Sequence, residues 1–233
     1  MKNDSCNITQ PSSAHRSRAF TARVKSLVGT TILALSLVAP ALADSPGPQN
    51  APRQDPLLAL LQNIYWRAFY GEITLPTDRN GNTAIGNLVF MRLPNAPGDG
   101  TPGVTNLTLK ADESFFVPLW NLLGNSYNDG TSDPVFDLNI FLTLDFKLTL
   151  DGVTLIDRRN LMEHYSQFPF VPPIPYNFPP ATAFIRLQGI SELHGPLSPG
   201  KHVLHLDAKN TDIADLFGLT FEYHNTWNLT VQP

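Results

Sequence analysis

Cysteine is nearly missing from this 233-residue chain: the single one, Cys6, lies ahead of an apolar stretch that ends at Ala43. Beyond that point there can be no disulfide and no thiolate metal site, so stability has to come from burial. Basic runs are missing too. Of the 16 Lys and Arg and the 20 Asp and Glu, five basic residues and one acidic residue precede position 44, leaving 11 against 19. That acidic balance argues against nucleic acid and anionic membrane surfaces as partners. The chain also lacks a Gly-x-Ser-x-Gly elbow, a phosphate loop and a dinucleotide fingerprint. Ser191-Glu192-Leu193-His194 is too local to imply a catalytic triad, whose members meet in space rather than in sequence.

One long apolar run is present, over residues 27–43, with Arg16, Arg18, Arg23 and Lys25 before it and Ala41-Leu42-Ala43 closing it. A positive flank, an apolar stretch and small residues two apart predict a signal peptide, cleavage after Ala43 and a secreted or periplasmic protein. Gly29, Pro40 and the interspersed Ser and Thr make the run a poor bilayer span, so no stable membrane span is expected after cleavage. Residues 44–54 read as a flexible leader, and 55–233 as a single domain with a sizeable core.

Two of the 21 prolines precede residue 44; the remainder of the chain carries about twice the usual share. Prolines and glycines punctuate short apolar runs, which is the composition of an all-β protein with many turns. Asp55-Pro56 forms an N-cap and first-turn pair, and Leu58, Leu61, Tyr65 and Ala68 recur at helical spacing until Gly71, predicting one helix over 56–70 packed on a sheet. After Pro76 the period becomes two. Strands are expected within 84–91, 104–109, 114–119, 136–150, 153–156, 181–187, 203–206 and 219–231. The fold class that follows is an all-β, antiparallel β-sandwich with one short N-terminal helix. Asp151-Gly152 supplies the positive backbone angles of a type I′ hairpin turn. Residues 94–103, 125–134 and 168–180 read as long connections.

Several of these segments together resemble a largely uncharacterised group of exported bacterial β-sandwich proteins of immunoglobulin- or fibronectin-like type. The resemblance rests on Tyr65-Trp66, on the 78–86 turn leading into Leu88-Val89-Phe90, and on Ser114-Phe115-Phe116-Val117-Pro118-Leu119-Trp120-Asn121. Leu150-Asp151-Gly152-Val153 adds to it, as do Gly195-Pro196-Leu197-Ser198-Pro199-Gly200-Lys201-His202 and the closing Leu229-Thr230-Val231. It implies a sandwich fold and export, and brings no catalytic residue. The chain departs from the group in having no cysteine in its early loops.

Strict alternation places Leu219, Phe221, Tyr223, Trp227, Leu229 and Val231 on one face of the final strand, interrupted by Asn225, with Glu222 and His224 on the other. Leu204 and Leu206 likewise face inward and His205 and Asp207 outward. If these two strands neighbour each other, His205, Asp207, Glu222 and His224 gather on one outward face, as a divalent-metal site or as acid and base groups for a hydrolase or lyase. On alternation alone they are a solvated sheet face, and the connection over 208–218 could equally cross to the opposing sheet. Asp78-Arg79-Asn80-Gly81-Asn82 places oxygens as in a calcium loop but misplaces the glycine, and reads as a turn, as does 129–133. Phe168, Phe170, Tyr176 and Phe178 stand among prolines on the 168–180 connection. They are either a stiff aromatic rim for a glycan or an exported protein partner, or a lid closing the sandwich. The function these features favour is a non-catalytic, cofactor-free binding or structural module.

Overall fold

The computed structural model describes residues 55–210 and 221–233, all in one compact unit; the expected signal peptide, the expected leader and Leu219 lie outside the described residues. The helix α1 spans Pro56–Phe69. The Asp55 side chain accepts from the Leu57 amide at 2.8 Å, satisfying one of the free donors of the first turn. Its C-terminal end gives way to Gly71 at φ +78°, a conformation that costs a residue without Cβ little.

Among the described residues ten strands follow: β1 (Thr83–Ile85), β2 (Leu88–Phe90), β3 (Asp99–Lys110), β4 (Ser114–Tyr127), β5 (Asp145–Leu150), β6 (Val153–Asp157), β7 (Tyr165–Phe178), β8 (Ala181–His194), β9 (Gly200–Asn210) and β10 (Phe221–Gln232). They form two five-stranded sheets, ordered β1-β2-β4-β8-β7 and β3-β10-β9-β5-β6. The inner faces bury one continuous core in which Phe115, Val117, Trp120, Tyr165 and Ile190 of the first sheet meet Phe146, Leu148, Leu206, Trp227 and Leu229 of the second. The expectation of an all-β sandwich with one N-terminal helix holds. The sheets are mixed, however, because β2 runs parallel to β4 and β3 parallel to β10. Both parallel pairs arise because the chain changes sheet between β2 and β3, and again between β3 and β4.

The Asp-Gly hairpin is present between β5 and β6, with Asp151 at φ +51° and Gly152 at φ +79°. Two apolar runs divide. The run 84–91 turns at Gly86 (φ +58°) into the β1–β2 hairpin, and 136–150 contains the one-turn helix α2 (Asn139–Leu142) before β5 begins. Periodicity cannot tell a short buried helix from a strand, which is why the second run reads as one element.

The 168–180 segment is not a connection. Most of it lies within β7, at the edge of its sheet, with pairing to β8 interrupted between Pro169 and Ile174 and between Pro175 and Phe178. An edge position and bulges accommodate prolines, which have no N–H to give a ladder.

The helix lies on the outer face of the first sheet. Leu58, Leu61 and Tyr65 pack with Phe90 and Phe116, while Trp66 and Tyr70 join Phe170, Ile174, Phe184 and Leu187 further along. Between these clusters, fully buried Gln62 donates to Ser166 Oγ at 2.8 Å and Ser191 Oγ at 3.1 Å. Because β4 is covered on both faces, its 115–120 stretch is buried throughout.

Candidate functional site

The outward face of the second sheet brings the four polar candidates together. Strands β9 and β10 are antiparallel neighbours, with Asp207 opposite His224 and His205 opposite Thr226. His224 Nδ1 lies 2.8 Å from Asp207 Oδ1 and its Nε2 3.1 Å from Glu222 Oε1. His205 lies 2.9 Å from Thr226 Oγ1 and 3.1 Å from Asp207 Oδ2, and Lys209 donates to Glu222 at 2.9 Å. The carboxylates of Asp207 and then Glu222 hold the His224 imidazole above the ordinary histidine pKa, and Lys209, then His224, hold the Glu222 carboxyl below its usual range.

These groups form a ladder across the strands, each bonding sideways to the next. They do not converge on a point. Their side chains are 34–49 % exposed, and among the described residues no group of three or more His, Cys, Asp or Glu could hold a metal ion. Opposite charges set side by side on adjacent strands stabilise a wet sheet face, which is what alternation alone implied.

The aromatic candidates separate. Phe170 is buried beside Ile174 and Leu187, with Phe168 edge-on to it at 5.3 Å, so neither forms a binding rim. Tyr176 packs on Phe184 at 4.3 Å and on Tyr70 at 5.7 Å. Of the four, Phe178 stays in water, 68 % exposed. These rings close a second small core because the strand carrying them lies beneath the helix end. The remaining motifs are turns: the Asp78 carboxylate accepts from the Asn80 and Asn82 amides at 2.8 Å, and Asp129 accepts from Thr131 at 2.9 Å. Ser191 is fully buried under Gln62.

A site that the sequence did not disclose lies where β2 stops. Past Met91, whose amide donates to the Phe116 carbonyl at 2.8 Å, no strand among the described residues pairs with that edge of β4, and a cavity of about 250 Å³ forms between Tyr65 and Phe69 of the helix, Pro118 and Asn121 of β4, the 92–96 segment and Tyr223. The inward residues of β10 fix its far wall. Trp227 Nε1 donates to the Arg92 carbonyl at 2.8 Å, Asn225 Oδ1 accepts from the Asn95 amide at 2.6 Å, and the Tyr223 hydroxyl reaches the Ala96 carbonyl at 3.4 Å. Gly98 (φ +66°) lets that segment pass beneath the Tyr223 ring, 2.8 Å from where a Cβ would stand. Asn225, the polar break in the apolar stripe, is therefore the tie that shapes this wall, and it was the one sequence signal of it.

Two features give the cavity its chemistry. Tyr65, 8 % exposed, has no partner for its hydroxyl among the described residues; burial pushes its phenol up to about 12, against the opposing pull of Arg92. In the wall, Trp66 Nε1 and Asn121 Oδ1 are buried without a hydrogen-bond partner among the described residues. Arg92 is exposed, stands 5.9 Å from the Phe69 ring centroid, and also lines an adjoining open groove of about 510 Å³ with Asn82, Thr83 and Thr105. Among the described residues lining the cavity and the groove it is the one charged group.

No family model matches the chain, and no curated protein matches it. Among solved structures, the chain is similar at 10 % identity and a TM-score of 0.23 to a cysteine protease inhibitor from Entamoeba histolytica, over 62 % of this chain and 95 % of that one. A likeness of that degree carries no argument about function.

Proposed function

We propose that this is an exported, non-catalytic binding module whose ligand sits in the cavity between α1, the open edge of β4 and the 92–96 segment. The observation that carries the reading is the Tyr65 hydroxyl, held unpartnered in an aromatic cavity whose opposite wall is fixed by Tyr223, Asn225 and Trp227. The hydroxyl keeps contact with solvent, unlike the buried Trp66 Nε1 and Asn121 Oδ1, so a ligand can reach it, and a hydrogen bond made there is worth about 0.5–1.5 kcal/mol net. Concave, largely apolar hollows with a few aimed polar groups are the usual form of a small-molecule site. At about 250 Å³ this one falls below the size that holds a drug-like molecule and suits a single ring. The open, hydroxyl-bearing groove beside it suits the continuation of a chain, so the ligand is a glycan. The exposed ladder of His205, Asp207, Glu222 and His224 gives no comparable support to a metal-assisted hydrolase or lyase.

The test is binding of the secreted protein to immobilised oligosaccharides, neutral and acidic, beside a Phe69→Ala variant. Phe69 is 46 % exposed, so its loss leaves the fold intact. Retention on at least one glycan that Phe69→Ala abolishes is the expected result. Absence of retention on every glycan, or retention that the variant leaves unchanged, overturns the assignment. Export is checked separately: the secreted form should begin at Asp44.

A further inference from the structure

The charge around the cavity narrows the ligand class. The chain beyond residue 43 carries a marked acidic excess, yet among the described residues no carboxylate lines either the cavity or the groove. Arg92 lines both and has no ion pair or side-chain hydrogen bond among the described residues. Arg67, near the same helix end, is instead consumed by Asn63, Glu72 and the Pro172 carbonyl. A planar guanidinium that meets the Phe69 ring and no anion among the described residues, near an unpartnered phenol hydroxyl, is matched by a carboxylate, one oxygen to each.

Resting on the binding-module reading above, we propose that the ligand is an acidic glycan. One uronic-acid ring lies against Phe69, its carboxylate is held between the Arg92 guanidinium and the Tyr65 hydroxyl, and the neighbouring sugars run along the groove past Thr83 and Thr105. An aromatic or fatty acid would satisfy the cavity and leave the polar groove unused.

The experiment is calorimetric titration of the secreted protein with oligogalacturonate and oligoglucuronate, with the methyl ester of each, and with phenylacetate. The ester keeps the rings and removes the charge. At least one acid should bind about tenfold or more tighter than its ester, the scale of a hydrogen bond to a charged group. Arg92→Gln should erase that difference by weakening the acid, Arg92→Lys should restore part of it, and Tyr65→Phe should weaken the acid several-fold. The Arg92 side chain is exposed and the Trp227 bond goes to its carbonyl, so the Arg92 variants fold, and Tyr65→Phe keeps the ring in its place in the core and removes a hydroxyl with no partner among the described residues. Equal binding of acid and ester overturns the acidic class and leaves a neutral glycan-binding module. Phenylacetate binding as tightly as the uronates overturns the glycan and keeps the carboxylate. No binding by any probe overturns the acidic class, and the module reading then stands or falls on the oligosaccharide panel alone.

Discussion

Single residues in this protein are constrained most tightly where an element passes close over another. Gly189 of β8 lies opposite Asn121 of β4, and a Cβ there would overlap Asn121 Oδ1 and stand 2.8 Å from the Trp120 carbonyl. Gly189→Ala should therefore cost about 1–3 kcal/mol in denaturant unfolding through overpacking. Adding Asn121→Ala should recover part of the loss, and a double-mutant cycle reads the coupling directly. Trp227 is fully buried and caps the Arg92 carbonyl, so Trp227→Ala should cost about 3–5 kcal/mol, and a loss below 1 kcal/mol would contradict its place in the core. On the opposite face of the same strand, His224→Ala removes half-exposed ladder contacts and should change stability by less than about 1 kcal/mol. A chelator should leave the melting temperature of the parent protein unchanged. A shared drop on chelation and on His224→Ala would reveal a ligand bound to the folded state alone.

At the scale of elements, α1 and the β5–β6 hairpin are the two attachments whose contribution is measurable. Leu61, 5 % exposed, sits between the helix and the outer face of the first sheet, and Leu61→Ala should cost about 2–5 kcal/mol by chemical denaturation. A loss under about 0.5 kcal/mol would mean that the helix does not pack there. The hairpin is tied to the start of β9: Asp151 accepts from the Val203 amide at 2.8 Å and lies 2.7 Å from His202 Nδ1. The Asp151 carboxylate, then the Ser198 carbonyl, raise the His202 pKa above its ordinary value, and the His202 hydrogen bond, then the Val203 amide, lower that of Asp151. The stability this histidine adds is full below about pH 6.5 and is lost as pH rises through its higher folded value. The aspartate's share is full above about pH 4 and is lost as pH falls through its lower folded value. Asp151→Asn keeps the left-handed turn residue and removes the charge, so its destabilisation should be larger at about pH 5.5 than at about pH 9. Equal losses at the two pH values would leave the ion pair without a role in holding the hairpin.

For the whole molecule, the absence of any cysteine after Cys6 predicts that a form beginning at Asp44 melts identically with and without reductant, a comparison calorimetry makes directly. No helix among the described residues is long and apolar enough to cross a membrane. What the sequence determined by itself is whatever repeats at short range. The helix start at Asp55-Pro56, the Asp151-Gly152 turn and the alternation from Phe221 to Gln232 are each written within a few residues, because capping, positive φ and a period of two are local physics. The adjacency of His205, Asp207, Glu222 and His224 was conditional on a strand pairing that alternation does not specify, and the tertiary fold supplied it. The fate of the proline-rich segment was decided the same way, since only an edge position and a helix overhead make a strand of it and bury Phe170. The cavity was beyond the reach of the sequence. Tyr65, Arg92, Asn121 and Tyr223 come from four segments that contact one another only because β2 ends early, β4 continues, and the chain changes sheet between them.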